Sequence, residues 1–162
     1  MKKLTTIAFL FLFLTNPVFS DQNILSSLKE GGKIIFIRHA VAPGNGDPKN
    51  FKIDDCSTQR NLNKVGIEQS KIIGKFFREN NIKIDRVLSS EWCRCKDTAN
   101  LAFENYKIFK ALNSFYDPKF ADNEEKQIKD LKKFVKEWDS DKNIIFVTHY
   151  VVILSLLNIG VS

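Results

Sequence analysis

The sequence predicts an α/β protein: a mostly parallel sheet covered by helices on both faces, a three-layer α/β/α sandwich. Three observations carry that expectation. Short apolar runs rich in β-branched residues alternate along the chain with longer segments of helical period. Two of those runs, Ile34-Ile35-Phe36-Ile37 and Ile144-Ile145-Phe146-Val147, are apolar throughout, as strands buried on both faces must be. Each then stops abruptly at polar residues, Arg38-His39 and Thr148-His149, and these are the chain's only two histidines. Open α/β sheets bind ligands beyond the carboxyl ends of their strands, so both imidazoles are placed where such folds do chemistry.

The chain has 162 residues, of which the first 20 read as an export signal. Met1-Lys2-Lys3 is basic, Ile7 to Leu14 is an unbroken apolar core, and Val18-Phe19-Ser20 suits signal peptidase. The core is too short to span a bilayer. The mature protein is expected to run from Asp21 to Ser162 as a single domain without a membrane span, periplasmic or secreted. The formal net charge is +6, and losing Lys2 and Lys3 leaves +4. The lysines are scattered among acids with no basic stripe interleaved with aromatics, which argues against a nucleic-acid partner while favouring approach of an anionic one. Three cysteines, Cys56, Cys93 and Cys95, imply in an exported chain one disulfide and one thiol left over; Cys56 with Cys93 or Cys95 is the expected bridge.

Taken in order, Asn23 to Glu30 reads as a helix leading through Gly31-Gly32 into the first strand. Ala40 to Asp55 loses all period and is dense in turn residues, so it reads as a long loop of the kind that binds ligands. Gly44-Asn45-Gly46 lacks the lysine of a phosphate-binding P-loop. Asn63 is placed to cap a helix running to about Asn80, with Val65, Ile72, Ile73, Phe76 and Phe77 as its inward face. Arg86 to Ser89 is a second strand. Ser90 reads as the cap of the next helix, which carries Arg94 in its first turn and Ala99, Ala102 and Phe103 inward. A third strand is expected over Lys107 to Leu112, a loop over Asn113 to Asn123, and a helix with Ile128, Leu131, Phe134, Val135 and Trp138 on one stripe. The strand ending at Thr148 and an apolar helix over roughly Val151 to Asn158 complete the chain.

Arg38, His39, Arg94 and His149 together describe an anion site. The planar fork of arginine matches phosphate oxygens, and a helix amino-terminus beside Arg94 adds backbone donors. A metal held by His39, His149 and a cysteine is the rival reading, and it ranks behind: flanking arginines repel a cation and Cys-x-Cys matches no common zinc spacing. If the anion is a phosphoryl ester, a neutral histidine can act as nucleophile.

The residues that carry this argument also resemble a known family. Arg38-His39-Ala40 after a buried strand is similar to the signature of the histidine phosphatase superfamily, the phosphoglycerate mutase-like proteins. Arg60-Asn61-Leu62-Asn63 with Gly66, then Ser89 to Ala99 around Arg94, then Val147-Thr148-His149 resemble further blocks of that family in the same order. The resemblance implies a metal-independent phosphatase acting on a small phosphorylated substrate, with no cofactor. His39 is then the phosphorylated nucleophile, and Arg38, Arg94 and His149 form the phosphate pocket. A small set of exported members acts on phosphorylated sugars of the cell envelope, which makes such a phosphosugar a candidate substrate. Two departures accompany the resemblance. Where the family often has an acidic proton donor this chain has Asn113-Ser114-Phe115-Tyr116, leaving Asp117, Asp54 and Asp55 as candidates. The chain also stops before the strand that usually follows the last helix, so a C-terminal edge strand is expected to be missing. The alternative function is a non-catalytic phosphate-binding protein that keeps the pocket and lacks the donor. Oligomeric state is not legible in the sequence.

Overall fold

The computed structural model describes residues 19–158. Residues 1–18 and the last four residues lie outside that range, and with them most of the expected export signal. Four strands, β1 (Ile34–Arg38), β2 (Ile84–Ser89), β3 (Lys107–Ile108) and β4 (Asn143–Thr148), form one wholly parallel sheet in the order β1-β4-β2-β3. Five helices surround it: α1 (Phe19–Glu30), α2 (Lys64–Glu79), α3 (Cys93–Phe103), α4 (Glu124–Glu137) and α5 (Tyr150–Leu157). Among the described residues no helix is long and apolar enough to cross a membrane.

The sheet's two faces explain why β4 is apolar without alternation. Ile144 and Phe146 face one way, onto Leu131 of α4 and Val152 of α5. Ile145 and Val147 face the other way, onto Phe77 of α2 and Ala99 of α3, with Leu25 and Leu28 of α1 packed alongside. Flanked by β1 and β2 and covered above and below, β4 is buried along its whole length, whereas β1, expected to be buried on both faces, is only half-buried because it forms the edge of the sheet. Its one polar side chain at the entry, Asn143, is fully satisfied: it accepts from Lys33 N and donates to the carbonyls of Leu28 and Lys83. Such a buried amide ties the amino ends of the strands together, since leaving any of those groups unpaired costs about 1–3 kcal/mol.

Three local expectations are corrected. On α2, Val65, Ile72 and Phe76 are exposed, and the inward face is Gly66, Ser70, Gly74 and Phe77, with Ile73 half-buried. The reason is distance. A Cβ on Gly74 would lie 2.1 Å from the Ala102 carbonyl oxygen of α3, and one on Gly66 2.1 Å from that of Val41. At those two positions the helix packs so closely that only glycine fits beneath it. The third strand shrinks to Lys107–Ile108. The chain then tightens into a 3-10 turn at Lys110–Leu112, which buries Ala111 and Leu112 and gives the Leu112 carbonyl to Thr148 Oγ at 2.7 Å. Finally, α3 starts at Cys93 with Trp92 in the cap position, not at Ser90, whose hydroxyl is used elsewhere. Helix α2 starts as expected, with Asn63 Oδ1 accepting from Gly66 N at 2.9 Å.

Candidate active site

Parallel register brings the two histidines together. Arg38 is paired with Thr148 across β1 and β4, so the residues that follow, His39 and His149, leave the sheet side by side. His39 N donates to the Thr148 carbonyl at 2.9 Å and Ser90 N to that of Val147 at 3.0 Å, extending the ladder one step past each strand. The imidazole centroids stand 5.5 Å apart, both rings nearly buried. Arg38, His39, Arg94 and His149 all line one cavity of about 430 Å³ at the carboxyl edge of the sheet.

The state of each ring follows from its partners. His39 Nδ1 lies 2.8 Å from the Ala40 carbonyl. A carbonyl only accepts, so Nδ1 carries the proton and the lone pair resides on Nε2. Burial lowers the pKa of His39 to about 4 against the pull of the Ala40 bond, and Arg94, Arg60 and Arg38 push it the same way. The ring is therefore neutral, as a nucleophile must be. His149 Nε2 sits 2.9 Å from Ser90 Oγ, with the Cys95 thiol at 3.4 Å. Ser90 Oγ also lies 3.2 Å from Asn113 Oδ1, and that amide's orientation is set by Glu91, whose N–H donates to Oδ1 and whose carboxylate accepts from Nδ2. Every group is satisfied when His149 Nε2–H donates to Ser90 and Ser90 donates to Asn113. The pKa of His149 is well below its ordinary value, again through burial first and the arginines next.

Arg94 is held in the first turn of α3, and its side chain is 3% exposed. Its guanidinium is gripped end-on by Asp47, Nη1 to Oδ1 at 2.8 Å and Nη2 to Oδ2 at 3.2 Å. Its Nε is buried without a partner among the described residues. A buried, unsatisfied donor on a charged group is costly, and the residue that carries it lines the cavity. Arg38 is exposed, its guanidinium carbon 5.7 Å above the Tyr150 ring.

Of the candidate proton donors, Asp117 lines the cavity, while Asp54 and Asp55 do not. Asp117 accepts from Lys119 N at 3.0 Å and lies 3.7 Å from its ammonium. Asp55 caps the short 3-10 turn at Cys56–Thr58 through Ser57 N. Three contributors escaped sequence reasoning. Asp47 sits in the aperiodic loop, where nothing in the pattern marks it. Arg60 was noted only as part of a motif; it lines the cavity and staples the loop by donating to the carbonyls of Gly46 and Ala42. Ser90 was assigned to a cap. The disulfide joins Cys56 to Cys93 and leaves Cys95 buried as a thiol, its pKa pushed up to about 12 by burial. Among the described residues no group of three or more His, Cys, Asp or Glu is disposed to hold a metal ion.

With this geometry in place, comparison with known proteins is decisive about kinship. The description that fits the chain is the histidine phosphatase superfamily (branch 1), matched over residues 34–139, and the chain belongs to that superfamily. The matched segment carries Arg38, His39 and Arg94; His149 lies beyond it and is placed by the sheet. Over 81 residues the chain is 31% identical to fructose-2,6-bisphosphatase TIGAR of Xenopus tropicalis, a stretch covering 47% of this chain and 29% of that protein. The chain thus matches less than a third of that relative's length. Among solved structures, phosphoglycerate mutase from Plasmodium falciparum superposes with TM-score 0.50 at 22% identity, covering 76% of this chain and 65% of that one. A mycobacterial glucosyl-3-phosphoglycerate phosphatase gives 0.55 at 14% identity, covering 76% and 79%. A phosphoserine phosphatase mutant from Entamoeba histolytica gives 0.54 at 17%, covering 78% of each. These likenesses establish the phosphoglycerate mutase-like fold.

Proposed function

We propose that the protein is a metal-independent phosphatase that hydrolyses phosphomonoesters through a phosphohistidine on His39. The observation that carries this reading is the neutral His39, with its lone pair on Nε2, set 5.5 Å from His149 in a cavity that also holds Arg38, Arg60 and Arg94. Nε2 attacks phosphorus, the N–P bond forms as the ester P–O bond breaks, and the leaving oxygen takes a proton from solvent water. Water then attacks the phosphohistidine, returning His39 and releasing orthophosphate. Arginines and His149 offset the charge on the equatorial oxygens, which is where enzymes of phosphoryl transfer do most of their work.

The rest of the cavity bears on substrate. Its walls include Trp92, Tyr116, Phe120 and Tyr150, with Asn45 and Lys119 among the polar groups. Its volume falls in the range of small-molecule sites. Aromatic faces beside scattered hydrogen-bonding groups suit a phosphorylated sugar, and a cell-envelope phosphosugar fits the expected export. The Cys56–Cys93 disulfide supports an oxidising compartment, periplasmic or extracellular. A second reading, phosphate binding without turnover, is favoured by one observation: of the expected donors only Asp117 reaches the cavity, and it is committed to Lys119 at the rim.

A single-turnover experiment separates the two. The protein is mixed with labelled aryl phosphate in the presence of a chelator and quenched in base, where phosphohistidine survives. Base-stable, acid-labile label in the wild type and none in His39→Ala is the expected result. No label and no product from folded protein that still binds phosphate establishes the binding protein instead.

A further inference from the structure

The long loop after β1 contributes one carboxylate to the site, and its partners define a role. Asp47 is 12% exposed and accepts four hydrogen bonds. Two come from Arg94, one from Trp92 Nε1 at 3.0 Å and one from Arg60 N at 3.1 Å. The Arg94 bonds use Nη1 and Nη2, the end of the fork. A guanidinium has a second bidentate edge, made by Nε and the remaining proton of Nη2. That edge begins at the very atom that is buried without a partner, and Arg94 lines the cavity.

We propose that Asp47 is the positioning residue for Arg94: by seizing the guanidinium end-on it presents the Nε–Nη2 edge to the phosphoryl group. The proposal rests on the reading of the cavity as a phosphate site. Arginine reaches the site on a flexible stem, and a fork that must be oriented during binding loses part of its advantage to entropy. Asp47 removes that loss. Its own place is fixed from outside the pair, by the Trp92 indole and by the Arg60 backbone. It also sets one negative charge among three guanidiniums. A purely electrostatic role would therefore oppose anion binding, and the two roles make opposite predictions.

The test is calorimetric binding of inorganic phosphate to the purified full chain, with thermal unfolding recorded for every variant. Asp47→Asn removes the charge and one arm of the grip; Asp47→Glu keeps the charge and shifts the carboxylate by one methylene. Both are expected to weaken phosphate binding about tenfold, and neither to weaken it further once Arg94 is replaced by lysine, which has no fork to orient. Tighter binding by folded Asp47→Asn, or unchanged binding by Asp47→Glu, overturns the proposal in favour of a charge effect. Equal losses with and without Arg94→Lys overturn it in favour of a general structural role. If Asp47→Asn fails to fold, Asp47→Glu and its combination with Arg94→Lys decide the matter. Failure of the wild type itself to bind phosphate sinks the phosphate site and this proposal together, whereas wild-type binding that neither Asp47 variant alters sinks this proposal alone.

Discussion

Removing the Cys56–Cys93 bridge is expected to cost both stability and the shape of the site. The bridge closes 37 residues of chain. For a loop of that length the entropy returned to the unfolded chain corresponds to about 3.8 kcal/mol at 25 °C. Spread over a chain of this size, that is a fall in melting temperature of roughly 8–15 °C. The local consequence follows from what the bridge adjoins. Cys93 is the residue before Arg94, and its N–H donates to Gln59 Oε1 at 2.9 Å, while Gln59 Nε2 holds the carbonyls of Lys52 and Ile53. Loop and helix start are thus sewn together at the point where the guanidinium is presented. Urea unfolding of wild type with and without reductant, and of Cys56→Ala/Cys93→Ala, measures the cost. The remaining thiol, Cys95, is buried and protonated, and so does not exchange readily. A loss below about 1 kcal/mol in both comparisons would refute the loop-closure reasoning. A full loss of stability with unchanged phosphate affinity would refute the link to Arg94.

Gly74→Ala raises helix propensity by about 1 kcal/mol, yet it is expected to destabilise the protein by about 2 kcal/mol net, because the new Cβ meets the Ala102 backbone at 2.1 Å and backbone cannot step aside; a gain in urea midpoint would refute the close approach of α2 to α3. His39, with its pKa lowered to about 4 by burial, is expected to titrate in NMR with a midpoint near 4. Between pH 6.5 and 4 the unfolded chain then binds the proton that the folded one refuses, so stability falls as pH drops through that window and is level above it. His149 contributes in the same direction. A midpoint near 6.5, or stability rising toward pH 4, would contradict the burial of the neutral ring.

Much of the site was legible because it is written in local order. A strand buried on both faces must be apolar, and Ile144–Val147 is one; Ile34–Ile37 is as apolar, yet β1 is a half-buried edge strand, so its run marked the strand without telling its burial. Arg94 was legible through its place at a helix start, and the disulfide narrowed to two possibilities by spacing. Illegible were contacts that join distant stretches without a period. Bulk misled on α2: Val65, Ile72 and Phe76 form a convincing stripe, but interhelical distance, set by Ala102 on another helix, demanded glycines and a serine inward.

The sequence by itself therefore determined β1, β2 and β4, the start of α2, the edge where the histidines emerge and the family to which the chain belongs. Only the tertiary structure decided that His39 and His149 stand 5.5 Å apart, because that depends on β4 inserting next to β1 in register. It alone decided that Asp47 grips Arg94, two residues separated by most of a loop, a helix and a strand. Periodicity reports which way a side chain faces within its own element; which partner it meets there is settled by how the elements pack.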